Sequence, residues 1–203
     1  MSLSQRQMEF ADAALHLVTR DGLSSVTFRS VAAEAGMSLG AVQKAFPSKE
    51  HLLRAMFARL RETASLPVLG EPGRPTLHDW FVALMVTVLP LDSSRRAAEL
   101  QGAAFVERAP FDADIAKAVA ASDRELRSAF ASLVRRAQAE TELPASLDPD
   151  ATAWALLAFM QGMASQLLYD PVPEGIVRDQ CRFIVDSLLQ GSPANGQDGR
   201  SSP

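Results

Sequence analysis

The residues of this chain that could do chemistry cluster between positions 28 and 50, in the run FRSVAAEAGMSLGAVQKAFPSKE. Gln43 carries an amide that can pair with N6 and N7 of adenine, and Lys44 an ammonium that suits guanine or phosphate. Leu39 matches a thymine methyl, and Gly40 lets backbone come close to a sugar-phosphate rail. Lys49, at the start of a helix, is placed to meet a phosphate, as are Thr27 and Arg29 at the start of an earlier one. With Ser38, these eight residues form a set suited to double-stranded DNA. The plainer alternative is that Thr27 and Ser38 only cap helices while Gln43 and Lys44 lie on a solvated face. A cap uses one lone pair of the hydroxyl oxygen and leaves its proton free to donate, so both roles can hold together.

Positioning these groups falls to two short helices joined by a tight turn. Ala32, four residues before Gly36, is small enough for a second helix to lie close to the first. Gly36 can take positive φ and end the first helix sharply. Val42, six residues after it, plugs the angle between the two. Ser38 stands where an N-cap belongs for a helix beginning at Leu39. This is the spacing of a helix-turn-helix, whose second helix lies in the major groove. Pro47 has no N–H and must stop that helix near Phe46, and Ser48 then caps the next one.

Through Thr27-Phe28-Arg29-Ser30-Val31-Ala32, Ala35-Gly36-Met37-Ser38, Gly40 and Phe46-Pro47-Ser48-Lys49-Glu50, the chain resembles the tetracycline-repressor (TetR) family of transcriptional regulators. The likeness is specific over residues 4–54 and architectural beyond them. The family usually places Tyr near the end of the recognition helix, whereas Gln43, Lys44 and Ala45 stand there in this chain. The resemblance implies an all-α fold of about nine helices, with a three-helix DNA-binding head over 1–50. A ligand-binding and dimerisation body follows over 51–191, then a disordered tail over 192–203. It also implies that the helix starting at Lys49 links head to body, and that regulation is by repression.

Composition is compatible with this. The 203 residues are 47% hydrophobic with few aromatics, which favours helices and leaves ample core. The net charge of −4 is unlike the usual nucleic-acid binder. Residues 1–54, however, carry +1 (Arg6, Arg20, Arg29, Lys44, Lys49 and Arg54 against Glu9, Asp12, Asp21, Glu34 and Glu50), and the rest carries −5. A single cysteine, Cys181, excludes an internal disulfide and suits a reducing cytoplasm, and the N-terminus lacks the apolar core of a signal peptide.

Further helices are read from 77 to 89, 94 to 107, 112 to 140, 151 to 169 and 174 to 189. Residues 65–75 read as a loop, with three prolines and two glycines. The 19 residues from 151 to 169 carry no charge. That is long enough to span a membrane, but Thr152, Gln161, Ser165 and Gln166 interrupt the run and no Lys/Arg bias flanks it. Burial on all sides explains it better, with a second subunit covering the outer face. As the family implies, this helix and the last one form half of a four-helix homodimer interface, expected at Gln166, Leu167, Val177, Cys181, Ile184 and Leu188.

Trp80, Phe81, Met85, Phe105, Trp154, Phe159, Met160 and Met163 are each ordinary core residues taken singly. Together, with Gln101 as an orienting group, they suggest a pocket for a small apolar effector. His16, His51 and His78 lack metal-ligand spacing, no glycine-rich phosphate loop occurs, and no nucleophile has a base near it. No metal, cofactor or catalytic activity is expected. The competing reading is a non-enzymatic helical carrier or partner-binding protein whose helix-turn-helix is incidental.

Overall fold

The computed structural model describes residues 3–63 and 76–189. The expected loop at 65–75 and the tail at 192–203 lie outside them. Nine α-helices make up the described residues, with two 3-10 turns and no strand. The head is α1 (Gln5–Asp21), α2 (Phe28–Glu34) and α3 (Leu39–Ala45), followed by α4 (Lys49–Thr63). The body is α5 (Leu77–Val88), α6 (Ser93–Arg108), α7 (Ala113–Ala139), α8 (Pro149–Tyr169) and α9 (Glu174–Leu189).

Local chemistry sets most of the helix ends. Ser4 and Gln7 form a reciprocal capping box on α1. Asp112 caps α7, and Asp148 with Pro149 opens α8. Asp92 caps α6 and is held ionised there, its carboxyl lowered to about 2. The backbone N–H of Arg95 contributes most to this, then the Ser94 hydroxyl and the Arg95 side chain.

Two apolar clusters form. In the body, Phe81, Leu84 and Met85 of α5 pack with Phe130 and Val134 of α7, Leu156 and Met160 of α8, and Val177, Cys181 and Val185 of α9. The rings of Phe81 and Phe130 meet edge to face at 5.4 Å. In the head, Phe10, Leu15, Val31, Val42 and Phe46 are joined by Leu52, Leu53 and Met56 of α4. The head cluster therefore does not stop at residue 50. It also takes in Phe105 of α6 and Ile115 of α7, both buried.

α6 is fastened to both the head and the body. At its N-terminal end Arg95 donates to the carbonyls of Val86 (2.6 Å) and Thr87 (3.1 Å), capping α5. Arg96 donates to Leu167 (3.2 Å) and Leu168 (2.5 Å), capping α8. A cation at the negative end of a helix dipole is favourable in both places. No helix among the described residues is long and apolar enough to cross a membrane.

Candidate DNA-binding face and regulatory body

The turn between α2 and α3 has the geometry its residues demand. Gly36 adopts φ +64°, its N–H donates to the Ala33 carbonyl at 3.1 Å, and the Met37 N–H reaches back to Ala32 at 2.9 Å. This is a Schellman stop, which needs a left-handed residue just past the helix. Ser38 Oγ accepts from the Ala41 N–H at 3.2 Å and starts α3. Thr27 and Ser30 cap α2 reciprocally, each hydroxyl accepting the other residue's N–H at 2.9–3.0 Å. Val31, Ala32, Val42 and Phe46 are buried beneath. Behind α3, Gln7 Nε2 donates to the Ala45 carbonyl at 3.1 Å, and Phe10 packs edge to face on Phe46 at 6.3 Å.

With α2 and α3 so fixed, Thr27, Arg29, Ser38, Gly40, Gln43, Lys44 and Lys49 are all exposed, and Leu39 is half-buried. Ser48 does not spend its hydroxyl as sequence suggested. It lies 3.0 Å from His51 Nδ1 and hydrogen-bonds the Glu50 carboxylate, which it holds below its ordinary range. The Ser48 carbonyl accepts the Leu52 N–H at 3.3 Å.

The body departs from expectation in two places. Of the pocket residues, Phe81, Met85 and Met160 are buried in the body cluster, with Trp80, Phe159 and Met163 packed against it. The other three do not join them. Trp154 is 60% exposed, its ring covered by the Arg127 guanidinium at 4.1 Å. Phe105 belongs to the head cluster and meets Phe57 edge to face at 5.2 Å. Gln101 turns to the head: its Nε2 donates to the Leu15 carbonyl (3.2 Å) and the Thr19 hydroxyl (2.9 Å) of α1. α6 runs past the head, and its far end packs there instead of in the body.

The second departure is the face of α9. Val177, Cys181 and Leu167, expected at a dimer interface, are buried in their own chain. Burial pushes the Cys181 thiol up to about 11, so it is an unreactive core residue. Ile184 and Leu188 are half-buried, and Gln166 is exposed. The outward stripe is a different one. Ile176 is 50% and Phe183 64% exposed on α9, and Tyr169 is 74% exposed at the end of α8. Ala158, Gly162 and Ser165 are exposed between Trp154 and Tyr169.

Two clefts lie where head meets body, one of about 520 Å³ and one of about 310 Å³. The larger runs from Leu23 and Lys49 to Arg108 and Phe111, and the smaller lies between α4 and α7. Sequence reading had no access to either, because each joins residues more than fifty positions apart. Glu99 on α6 is another group it passed over: burial raises its carboxyl above the ordinary range.

A helix-turn-helix that exposes its polar residues, set on a helical body, defines a one-component DNA-binding regulator. Residues 10–56 match the family described as "Bacterial regulatory proteins, tetR family", and residues 77–190 match "BetI-type transcriptional repressor, C-terminal". The second match alone covers more than half of the chain, which belongs to the TetR family. The chain is 28% identical over 198 residues to the nicotine-responsive transcriptional repressor HdnoR of Paenarthrobacter nicotinovorans, covering 93% of this chain and 96% of that one. Its fold matches a transcriptional regulator from Rhodococcus sp. Rha1 with a TM-score of 0.75 at 22% identity, covering 94% of this chain and all of the other. It also matches the multidrug binding protein EbrR complexed with ethidium, with a TM-score of 0.66 at 23% identity, covering 91% and 99%. The protein is a ligand-responsive DNA-binding transcriptional repressor.

Proposed function

We propose that two copies of this chain grip a pseudo-palindromic operator and let go when a small apolar molecule binds the body. The observation that carries this is the exposed row Thr27, Arg29, Ser38, Gly40, Gln43, Lys44 and Lys49 on a packed base of Val31, Ala32, Val42 and Phe46. Gln43 and Lys44 read base edges, with Leu39 beside them, while Thr27, Arg29 and Lys49 hold phosphates. A two-fold axis through the outward stripe of α8 and α9 pairs the subunits. Trp154, Tyr169, Ile176 and Phe183 are its apolar anchors, and the half-site spacing follows from the axis.

α6 transmits the signal: its start is tied to α5 and α8, and its far half to α1 through Gln101 and to α4 through Phe105. A molecule that rearranges the body shifts the head only by as much as it prefers the altered state. HdnoR's response to nicotine and the ethidium bound by EbrR support a small organic effector. The protein works as a non-enzymatic switch in the cytoplasm, where its free thiol stays reduced.

Selection of DNA from a random pool, then gel retention across a salt series, tests the reading. Gln43→Ala with Lys44→Ala is expected to weaken the selected site at least about tenfold and to relax the base preference at the positions they read, with the fold intact. Retention that ignores both substitutions sinks the contact assignment.

A further inference from the structure

The two clefts at the joint share one helix face. Lys49, Leu53, Phe57 and Arg61, with Arg54 and Ala58 beside them, form two adjacent rows spaced four residues apart along α4, and they line first the larger cleft and then the smaller. The opposite face of α4 is closed. Leu52, Ala55 and Met56 are buried, and Arg59 meets both carboxylate oxygens of Asp12 on α1 at 2.8 and 3.2 Å. α4 is thus bolted to the head on one face, and on the other it meets α6 through Phe57 against Phe105 and α7 through two ion pairs.

In the smaller cleft, Phe57 and Ala58 of α4 face Ile115 and Ala118 of α7 across about 310 Å³, at the lower end of the range for ligand sites. Arg54, Arg61 and Asp114 form its rim. Arg54 pairs with Asp114 at 3.0 Å, and Arg61 with Glu125, which lies beyond the lining. Each guanidinium uses only Nη2 for its partner, which leaves Nε and Nη1 open among the described residues. The lining therefore offers two cations, one anion and an apolar floor.

We propose that this cleft binds an apolar monocarboxylate and that binding there wedges α4, and the head with it, away from α7. The apolar part lies on Phe57 and Ile115, and the carboxylate takes the open nitrogens of Arg61, with Arg54 at the other end of the rim. Paired N–H donors on a planar guanidinium match a carboxylate in geometry as well as charge. The proposal rests on the regulatory reading above and gives its effector a place and a charge.

A matched series of decanoate, decan-1-ol and decyltrimethylammonium, titrated by calorimetry into the full chain with and without its selected operator, tests it. Decanoate should bind about tenfold more tightly than the alcohol and release the DNA. Arg61→Gln should remove that preference while leaving the alcohol's affinity unchanged. Ala118→Phe, which fills the cleft, should abolish binding of decanoate; Ala58→Leu serves if circular dichroism shows the first variant misfolded. The cation binding as tightly as decanoate, Arg61→Gln keeping the preference, or binding that survives a folded cleft-filling variant each overturns the proposal. A protein that retains operator but ignores decanoate refutes the cleft alone. One that never retains operator refutes the regulatory reading beneath it.

Discussion

Replacing Phe183 with Glu should split the dimer without unfolding the subunit. A phenylalanine buries roughly 150–250 Å² when fully enclosed. Phe183 is 64% exposed in the single chain, so about 100–160 Å² remains for a partner to cover. At about 25 cal/mol per Å² that is about 2.5–4 kcal/mol, and a two-fold interface contains the residue twice, giving roughly 5–8 kcal/mol for the pair. Even the lower figure moves the dimer dissociation constant by about three to four decades. Sedimentation velocity from 0.1 to 50 µM would follow the shift, with circular dichroism as the check on folding. Val177→Ala is the contrasting variant. Val177 is 1% exposed, so shortening it leaves a hole in the subunit and should lower stability by about 1–3 kcal/mol. Its effect on the dimer should be small by comparison. Wild-type and Phe183→Glu chains with the same mass distribution over that range would refute the assignment of this face, as would dissociation caused by Val177→Ala in its place.

Gly36→Ala should destabilise the protein by about 1 kcal/mol through backbone strain alone, since φ is +64° and nothing lies within 4 Å of an added Cβ. Urea unfolding measures it, and Gly36→Asn should cost less. Cys181, with its thiol pushed up to about 11, should react with iodoacetamide at pH 8 at least about a hundredfold more slowly in the native chain than in urea. Because the unfolded thiol ionises at lower pH, stability should fall as pH climbs from about 9 toward 11, as a pH series of melting temperatures would show. Gln101→Leu should leave subunit folding intact but loosen the head, so that operators with one base pair added between half-sites lose less affinity than they do with the wild type; selection with spaced sites reads this out.

The head was legible because its chemistry is local. Gly36, Ser38 and Thr27 act on backbone groups within four residues, so spacing alone carried the turn and both caps. Which face of the last helix turns outward was not legible: Val177 and Cys181, expected on an outer face, are buried within the subunit. α9 has two apolar stripes, one through Val177, Cys181 and Val185 and one through Ile176 and Phe183, and nothing in its own residues says which turns inward. Its packing against α5, roughly a hundred positions earlier, decides that. Trp154 is hidden from sequence for a related reason: an uncharged helix does not mark its outer side, and a large ring there is 60% exposed. Gln101 and Phe105 were assigned to the body by their order along the chain. Their partners, Leu15, Thr19 and Phe57, lie on helices that precede the body, and no periodicity within α6 points to them.

The fastening of α4 to α1 bears on how such proteins can be recombined. A chimera that exchanges the operator-reading end between relatives by cutting at residue 50 leaves Leu52, Leu53 and Met56 behind, and the transplanted fragment arrives without the wall it folds against. A cut after α4 keeps that wall but meets a second constraint, because Phe105 reaches into the donor's interior from the recipient's sixth helix. Grafts that match the residue at 105 to the incoming head should give working hybrids, whereas those that preserve only the recognition helix inherit a misfit at the joint.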